Sequence, residues 1–388
     1  MNKFNFDEPI DRHGTLSYKW DTISDKEVLP LWVADMDFMA APAICAAVSR
    51  CARHGIFGYA TTNEDYYNAI ISFNRRHYGV QLERDWIMPV PGIVPALTAV
   101  LQALTQPGDE VILQTPAYNC FFSCIANSGL TAKENRLIYK DGRFFLDFTD
   151  LEEKASSPKA RVLLVCNPHN PSGRLWKEEE LKRIASIARK YNLTVISDEI
   201  HCDIRPNGSR FYAFSSIDES LKDRLITLAA PSKTFNIAGL KSAHVICANR
   251  DFRYRIDRQI NINEICDVNV FGIAATIAAY TECDDWLYEL NDYIQENYRL
   301  LISFFEENYP DIKVADLEST YLAWIDCACL KLDGVQIRNR LLKEGKLFVN
   351  DGQMYHSAQE SFIRINLACT KATLAEALRR FRKVFPPN

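Results

Sequence analysis

Through the middle of the chain, short apolar runs alternate with longer amphipathic stretches. Runs at 110–114, 161–166, 193–197, 225–229 and 243–248 are apolar in their interiors, the pattern of strands covered on both faces. Between two of them, 177–192 puts Leu181, Ile184, Ala185 and Ala188 on one face and charges on the other, which predicts a helix. A second helix is predicted at 95–106, stopped by Pro107-Gly108. Strand–helix alternation of this kind predicts an α/β fold: a mostly parallel central sheet with helices on both faces. The last third differs. A long helical pattern at 284–308 is followed by strand-like runs at 321–326 and 361–366 and a terminal helix at 371–384. The first 40 or so residues carry no long periodic element, so they are expected to pack onto this smaller unit or over a site. The expected division is a large α/β domain over 45–285 and a small α+β domain from 1–44 plus 286–388.

Composition narrows the class. Of 388 residues 47% are hydrophobic and 24% charged, which excludes a disordered chain. A net charge of −5 argues against a dedicated nucleic-acid binder. Two uncharged windows, 86–108 and 111–132, are broken by prolines or polar residues, so neither reads as a membrane span. Residues 1–12 are charged where a secretory leader needs an apolar run. The twelve cysteines show no CxxC and no Cys/His ligand spacing, so reduced thiols and no metal are expected. A soluble, cytoplasmic protein follows as the expectation.

Four segments join predicted elements to useful chemistry. In open α/β sheets, ligands sit at the carboxyl ends of the strands, so all four could meet. Lys233, in Ala230-Pro231-Ser232-Lys233-Thr234, follows a strand in uncharged surroundings that favour a lowered pKa and a nucleophilic amine. Asp198 leaves another strand. Alone it reads as a helix cap; buried, it would keep a heterocyclic nitrogen protonated, with His201 on the same side. Asn170 lies in the constrained turn Asn167-Pro168-His169-Asn170-Pro171-Ser172-Gly173. Pro91-Gly92-Ile93-Val94-Pro95 precedes a helix whose first N–H groups suit a phosphate, although it is no nucleotide P-loop.

Together these segments resemble the fold-type I, aspartate-aminotransferase-like enzymes that use pyridoxal 5′-phosphate (PLP). Ser232-Lys233-Thr234-Phe235-Asn236 with Ala238-Gly239-Leu240-Lys241 is similar to that family's cofactor-lysine motif. A narrower resemblance is to the MalY/PatB subgroup of cystathionine β-lyases, or C–S lyases. It is carried by Leu31-Trp32-Val33-Ala34-Asp35-Met36-Asp37-Phe38, by His54-Gly55-Ile56-Phe57-Gly58-Tyr59, by Ser197-Asp198-Glu199-Ile200-His201 and by Asn350-Asp351-Gly352. After this last motif the subgroup often has a Phe-Gly pair and a glycine-rich stretch. Here the chain reads Gln353-Met354-Tyr355-His356-Ser357, a departure that bears on substrate side-chain preference rather than on the cofactor.

The resemblance implies a PLP-dependent transferase fold of type I, and a role for each residue. Lys233 would hold the cofactor aldehyde covalently and, once freed, take the substrate's α-proton. Asp198 would keep the pyridine nitrogen protonated, Asn170 would meet the ring oxygen with His201 on the same side, and Tyr118 would stack on the ring. Gly92, Ile93, Val94, Ser232 and Lys241 would receive the phosphate; a hydroxyl common three residues before the lysine is replaced by Ala230. Tyr59 would reach the phosphate from a neighbouring subunit, so a homodimer with its active site at the subunit interface is implied. Arg364 would pair with the substrate carboxylate in the bidentate geometry that arginine favours, with Ala34 and its neighbours closing over it. Asp37 and Asn350 read as structural. The implied reaction is β-elimination from a small amino-acid substrate, an L-cysteine S-conjugate such as cystathionine. The alternative is an aminotransferase using the same residues, and a non-catalytic regulator is disfavoured because the lysine, aspartate and arginine are all retained.

Overall fold

The computed structural model describes residues 3–387. Its central sheet has seven strands: β1 (Ile87–Val90), β2 (Glu110–Thr115), β3 (Thr131–Arg136), β4 (Ala160–Cys166), β5 (Thr194–Asp198), β6 (Leu225–Ala229) and β7 (Ala243–Cys247). Their order is β1-β7-β6-β5-β4-β2-β3, and only β7 runs antiparallel to its neighbours. The expected mostly parallel sheet is therefore present.

Alternate side chains of these strands feed two cores. Leu113, Leu164, Ile196 and Leu228 pack with helices α1 (Ile93–Leu104) and α2 (Arg250–Ile262). Leu163, Val165 and Val195 pack with the opposite layer, which includes α3 (Glu178–Lys190). Each such side chain contributes about 1.5–3 kcal/mol by burial. Helix α3 forms where its periodicity predicts. Leu181, Ile184, Ala185 and Ala188 are buried, three glutamates open the helix, and Arg189 and Lys190 close it, matching the helix dipole. Glu180 reaches back to the Lys177 N–H at 2.8 Å and holds the first turn.

A second, antiparallel sheet orders β8 (Lys313–Val314), β9 (Leu322–Asp326), β11 (Phe362–Asn366) and β10 (Asn350–Asp351). Helix α4 (Asp284–Asn308) and the terminal helix α5 (Lys371–Val384) cover it. Glu318 ties the two sheets' surroundings together by accepting from Arg174 Nε at 2.8 Å and Arg143 Nη2 at 2.7 Å. In the N-terminal segment, Leu29–Pro30 pairs in parallel with Leu347–Phe348, and the chain then crosses above the carboxyl ends of the large sheet. Among the described residues, no helix is long and apolar enough to cross a membrane.

Candidate active site

Every candidate segment leaves the same edge of the large sheet. Gly92 follows β1, Tyr118 follows β2, Asn170 follows β4, Asp198 ends β5, and Lys233 follows β6. Because β7 runs the other way, Lys241 and Ser242 enter it at that same edge. Arg364 comes from the middle of β11 in the small sheet, opposite Asn350 in register. The result is one cavity of about 740 Å³. Its wall includes Ala34, Gly92, Ile93, Val94, Tyr118, Asn170, Asp198, His201, Ser232, Lys233, Lys241 and Arg364.

Burial sets the electrostatics. Asp198 accepts a hydrogen bond from the Ile200 N–H at 3.1 Å. Desolvation pushes its carboxyl up to about 7, against the pull of that N–H and of the Lys233 charge. Lys233 moves the other way. Burial, reinforced by Arg364 and opposed by Asp35 and Asp198, pushes its amine down to about 8. Its Nζ donates to the Ala34 carbonyl at 2.5 Å. His201 is pushed down to about 3, first by burial and then by Lys233 and Arg364, so it is a neutral ring. It sits in an irregular turn rather than on a helix, yet it faces the same cavity as Asp198.

Arg364 is buried and held on two sides. Nη1 donates to Asn170 Oδ1 at 3.1 Å and Nη2 to the Trp32 carbonyl at 2.9 Å, while Nε has no protein partner. With its oxygen turned to Arg364, Asn170 keeps its NH₂ available as a donor. The segment 33–38 is fastened above the site by two asparagines. Asn366 Nδ2 donates to the Val33 and Asp35 carbonyls, both at 2.6 Å, and Asn236 Nδ2 to the Met36 and Phe38 carbonyls, both at 3.0 Å. Asp37 accepts from Lys19 Nζ, Arg12 Nη1 and Trp20 Nε1, so it anchors this segment and does not line the cavity.

Tyr59 is the one candidate outside the cavity. It is fully exposed, in the irregular stretch between helices Pro42–His54 and Glu64–Tyr78, beside exposed Ile56 and Phe57. Conversely, the cavity gains Tyr18, Cys120, Met354 and Tyr355, none of which the sequence marked as site residues, and Asn350, which bonds Trp32 O and the Tyr355 hydroxyl. The only sequence signal for Met354 and Tyr355 is that their segment departs from the glycine-rich subgroup pattern.

Comparison with known proteins agrees with this architecture. The family model described as aminotransferase class I and II matches residues 26–381. Cystathionine beta-lyase PatB of Bacillus subtilis (strain 168) is 37% identical over 382 residues, covering 97% of this chain and 99% of that protein. Cystalysin from Treponema denticola, whose crystal structure contains a pyridoxal 5′-phosphate cofactor, superposes with a TM-score of 0.95 at 35% identity, covering 98% of each chain. The PLP-bound C–S lyase from Staphylococcus hominis superposes with a TM-score of 0.93 at 28% identity, covering 99% of this chain and 98% of that one. With a cavity built at the strand ends and a match along nearly its whole length, the chain belongs to the class I and II aminotransferase family, on the branch that includes PatB.

Proposed function

We propose that this chain uses PLP to eliminate the β-substituent of L-cysteine S-conjugates, cystathionine among them, giving a thiol, pyruvate and ammonia. The observation that carries the reading is the meeting of Lys233, Asp198 and Arg364 around one cavity, each positioned by a different strand.

The residues present fit the cofactor. Among the described residues Asp198 is a buried carboxyl with one protein donor, the Ile200 N–H, so a protonated ring nitrogen would supply the partner it lacks. Among the described residues, His201 Nδ1 and Arg364 Nε are buried polar atoms with no hydrogen-bond partner, so both would be available to a bound cofactor or to a carboxylate. The first N–H groups of α1 at Ile93 and Val94, the Ser232 hydroxyl and Lys241 form a phosphate-binding set; Lys241 has no carboxylate partner among the described residues. Tyr118 supplies a ring face and Asn170 an NH₂ for the ring oxygen.

When bound, PLP supplies an electron sink for the pair left as the α-proton departs. Arg364 binds and orients the substrate carboxylate under the backbone of Val33, Ala34 and Asp35. The Lys233 amine takes the α-proton; a value of about 8 leaves part of it neutral near physiological pH. Expulsion of the β-thiolate and addition of water then balance the reaction, with no second keto acid consumed. The activities named for PatB and for the S. hominis enzyme support elimination over transamination, which the same residues would serve.

A second copy of the chain is part of the proposal. Tyr59 stands clear of its own cavity beside exposed Ile56 and Phe57, as a residue serving a neighbouring site would. The test of the reaction is an assay of purified holoenzyme with cysteine conjugates and no added keto acid. Equimolar pyruvate and thiol support elimination. Strict dependence on a keto-acid acceptor establishes the aminotransferase instead.

A further inference from the structure

We propose that the cavity beyond Arg364 is a site for an apolar, preferentially aromatic, substituent on the substrate's sulfur, and that it disfavours a second amino-acid head group such as the distal half of cystathionine. The inference rests on the elimination reading and narrows its substrate class.

The charges in the cavity are few and all have work elsewhere. The charged side chains on its wall are Lys233, Lys241, Arg364 and Asp198. On the elimination reading the first and last would hold the cofactor, Lys241 its phosphate, and Arg364 the α-carboxylate. This chain places no further acid on the wall to meet a second ammonium group. The nearby carboxylates are committed: Asp35 to Arg12, Asp351 to Arg338 and Glu134 to His356. A zwitterionic head group entering here would shed water without gaining an anionic partner.

The remaining wall is largely apolar or aromatic, with Asn119, Ser242 and Asn350 among its polar members. Tyr18, Trp32, Phe121, Met354 and Tyr355 line it, together with the thiol of Cys120. Trp32 is fixed in place: its Nε1 donates to the Lys19 carbonyl at 3.2 Å, Tyr18 lies 5.3 Å from it ring to ring, and Phe348 backs it at 5.1 Å. The Trp32 carbonyl is itself a partner of Arg364, so this aromatic wall begins beside the place where the α-carboxylate docks. A group on the β-carbon of a substrate held by Arg364 is therefore within reach of it. Tyr18 and Met354 are large apolar side chains left exposed at the mouth, and Met354 adapts readily to varied shapes. Met354 and Tyr355 come from the segment in which this chain departs from the glycine-rich subgroup pattern, whereas Trp32 lies in a motif that resembles the subgroup's.

The test measures kcat/KM of the holoenzyme for S-benzyl-L-cysteine and L-cystathionine, reading pyruvate and thiol together. The expected result is a preference for the benzyl conjugate of at least about ten-fold, within the range a hydrophobic pocket supplies. In Met354→Glu, which places an acid at the exposed mouth, that ratio should fall by about ten-fold toward cystathionine. Binding of the non-cleavable carbon isosteres of both substrates, followed by calorimetry, should show the same order. Equal or better use of cystathionine by the wild type, with pyruvate formed from both, overturns the inference and leaves the elimination reading standing. Absence of pyruvate from both conjugates overturns the elimination reading, and the inference with it.

Discussion

The Arg364 guanidinium lies 4.7 Å from the centroid of the Tyr355 ring, and the hydroxyl of that tyrosine is held by Asn350 Nδ2 at 2.7 Å. Asn350 also faces Arg364 in register across the sheet, so one asparagine fixes the ring on which the arginine rests. A desolvated cation–π contact contributes about 2 kcal/mol. Tyr355→Leu should therefore raise KM for amino-acid substrates by up to about thirty-fold with a smaller effect on kcat, while Tyr355→Phe keeps the ring and stays near wild type. Steady-state kinetics check this. Turnover of the corresponding cysteamine conjugate, which has no carboxylate, should be insensitive to either change.

Lys233 is the residue without which the proposed reaction has no base. Lys233→Ala should lower turnover by about 10²–10⁴-fold, the usual contribution of a positioned acid–base group. Small primary amines added to the variant should restore part of it. In the wild type, borohydride should lock the cofactor onto the peptide containing Lys233, read by mass spectrometry. Full turnover in Lys233→Ala would overturn the mechanism.

Asp198 predicts a trade between stability and function. Its folded value of about 7 lies above the unfolded 3.8, because burial favours the protonated carboxyl. Between these values the folded chain keeps a proton that the unfolded chain has released, so the cofactor-free protein loses stability as pH rises through this window. Asp198→Asn does not titrate. Without cofactor the variant should match the wild type near pH 4 and exceed it at pH 8 by up to about 4 kcal/mol in urea unfolding, at 1.36 kcal/mol per unit. With cofactor the order should reverse if Asp198 pairs with the ring nitrogen as proposed, because the variant lacks that anion.

How much of this was legible beforehand follows from where each signal lies. β4, β5 and β6 are buried on both faces, so uninterrupted apolar runs disclosed them. β3 is an edge strand with the sequence TAKENR, half-buried along most of its length and polar, and it left no such trace. The helix Val270–Glu282 escaped for the opposite reason. It is apolar on most sides, and its Gly272 packs so closely that a Cβ there would come within 2.7 Å of the Leu240 carbonyl. Lys233, Asp198 and Arg364 stood out because each is a charge within an apolar stretch. Tyr355 and Tyr18 did not, since an aromatic becomes part of a site only through the neighbours that folding brings to it.

His244 sits on β7 with neither ring nitrogen bonded, and burial pushes it down to about 3. The unfolded value is 6.5, so the unfolded chain binds a proton that the folded chain refuses, and stability is lost as pH falls from 6.5 toward 3. Glu199, which lines the same small internal space and is pushed up to about 7 by burial, acts in the opposite sense. His244→Phe removes only the first effect. Relative to wild type, it should gain about 1–2 kcal/mol between pH 6.5 and pH 5, measured by denaturant unfolding at each pH.

If Tyr59 completes a neighbouring site, two damaged chains should repair each other. Tyr59→Ala and Lys233→Ala are each expected to be weakly active or inactive alone. In a dimer of one with the other, the chain carrying Tyr59→Ala keeps its own Lys233 and receives an intact tyrosine from its partner. The other site lacks both groups. A hybrid purified through two different affinity tags should therefore show about half the turnover of a wild-type dimer, since one of two symmetric sites is whole. Activity no higher than that of the parent variants would mean that Tyr59 does not serve a partner's cavity. Its exposure beside Ile56 and Phe57 would then need another cause.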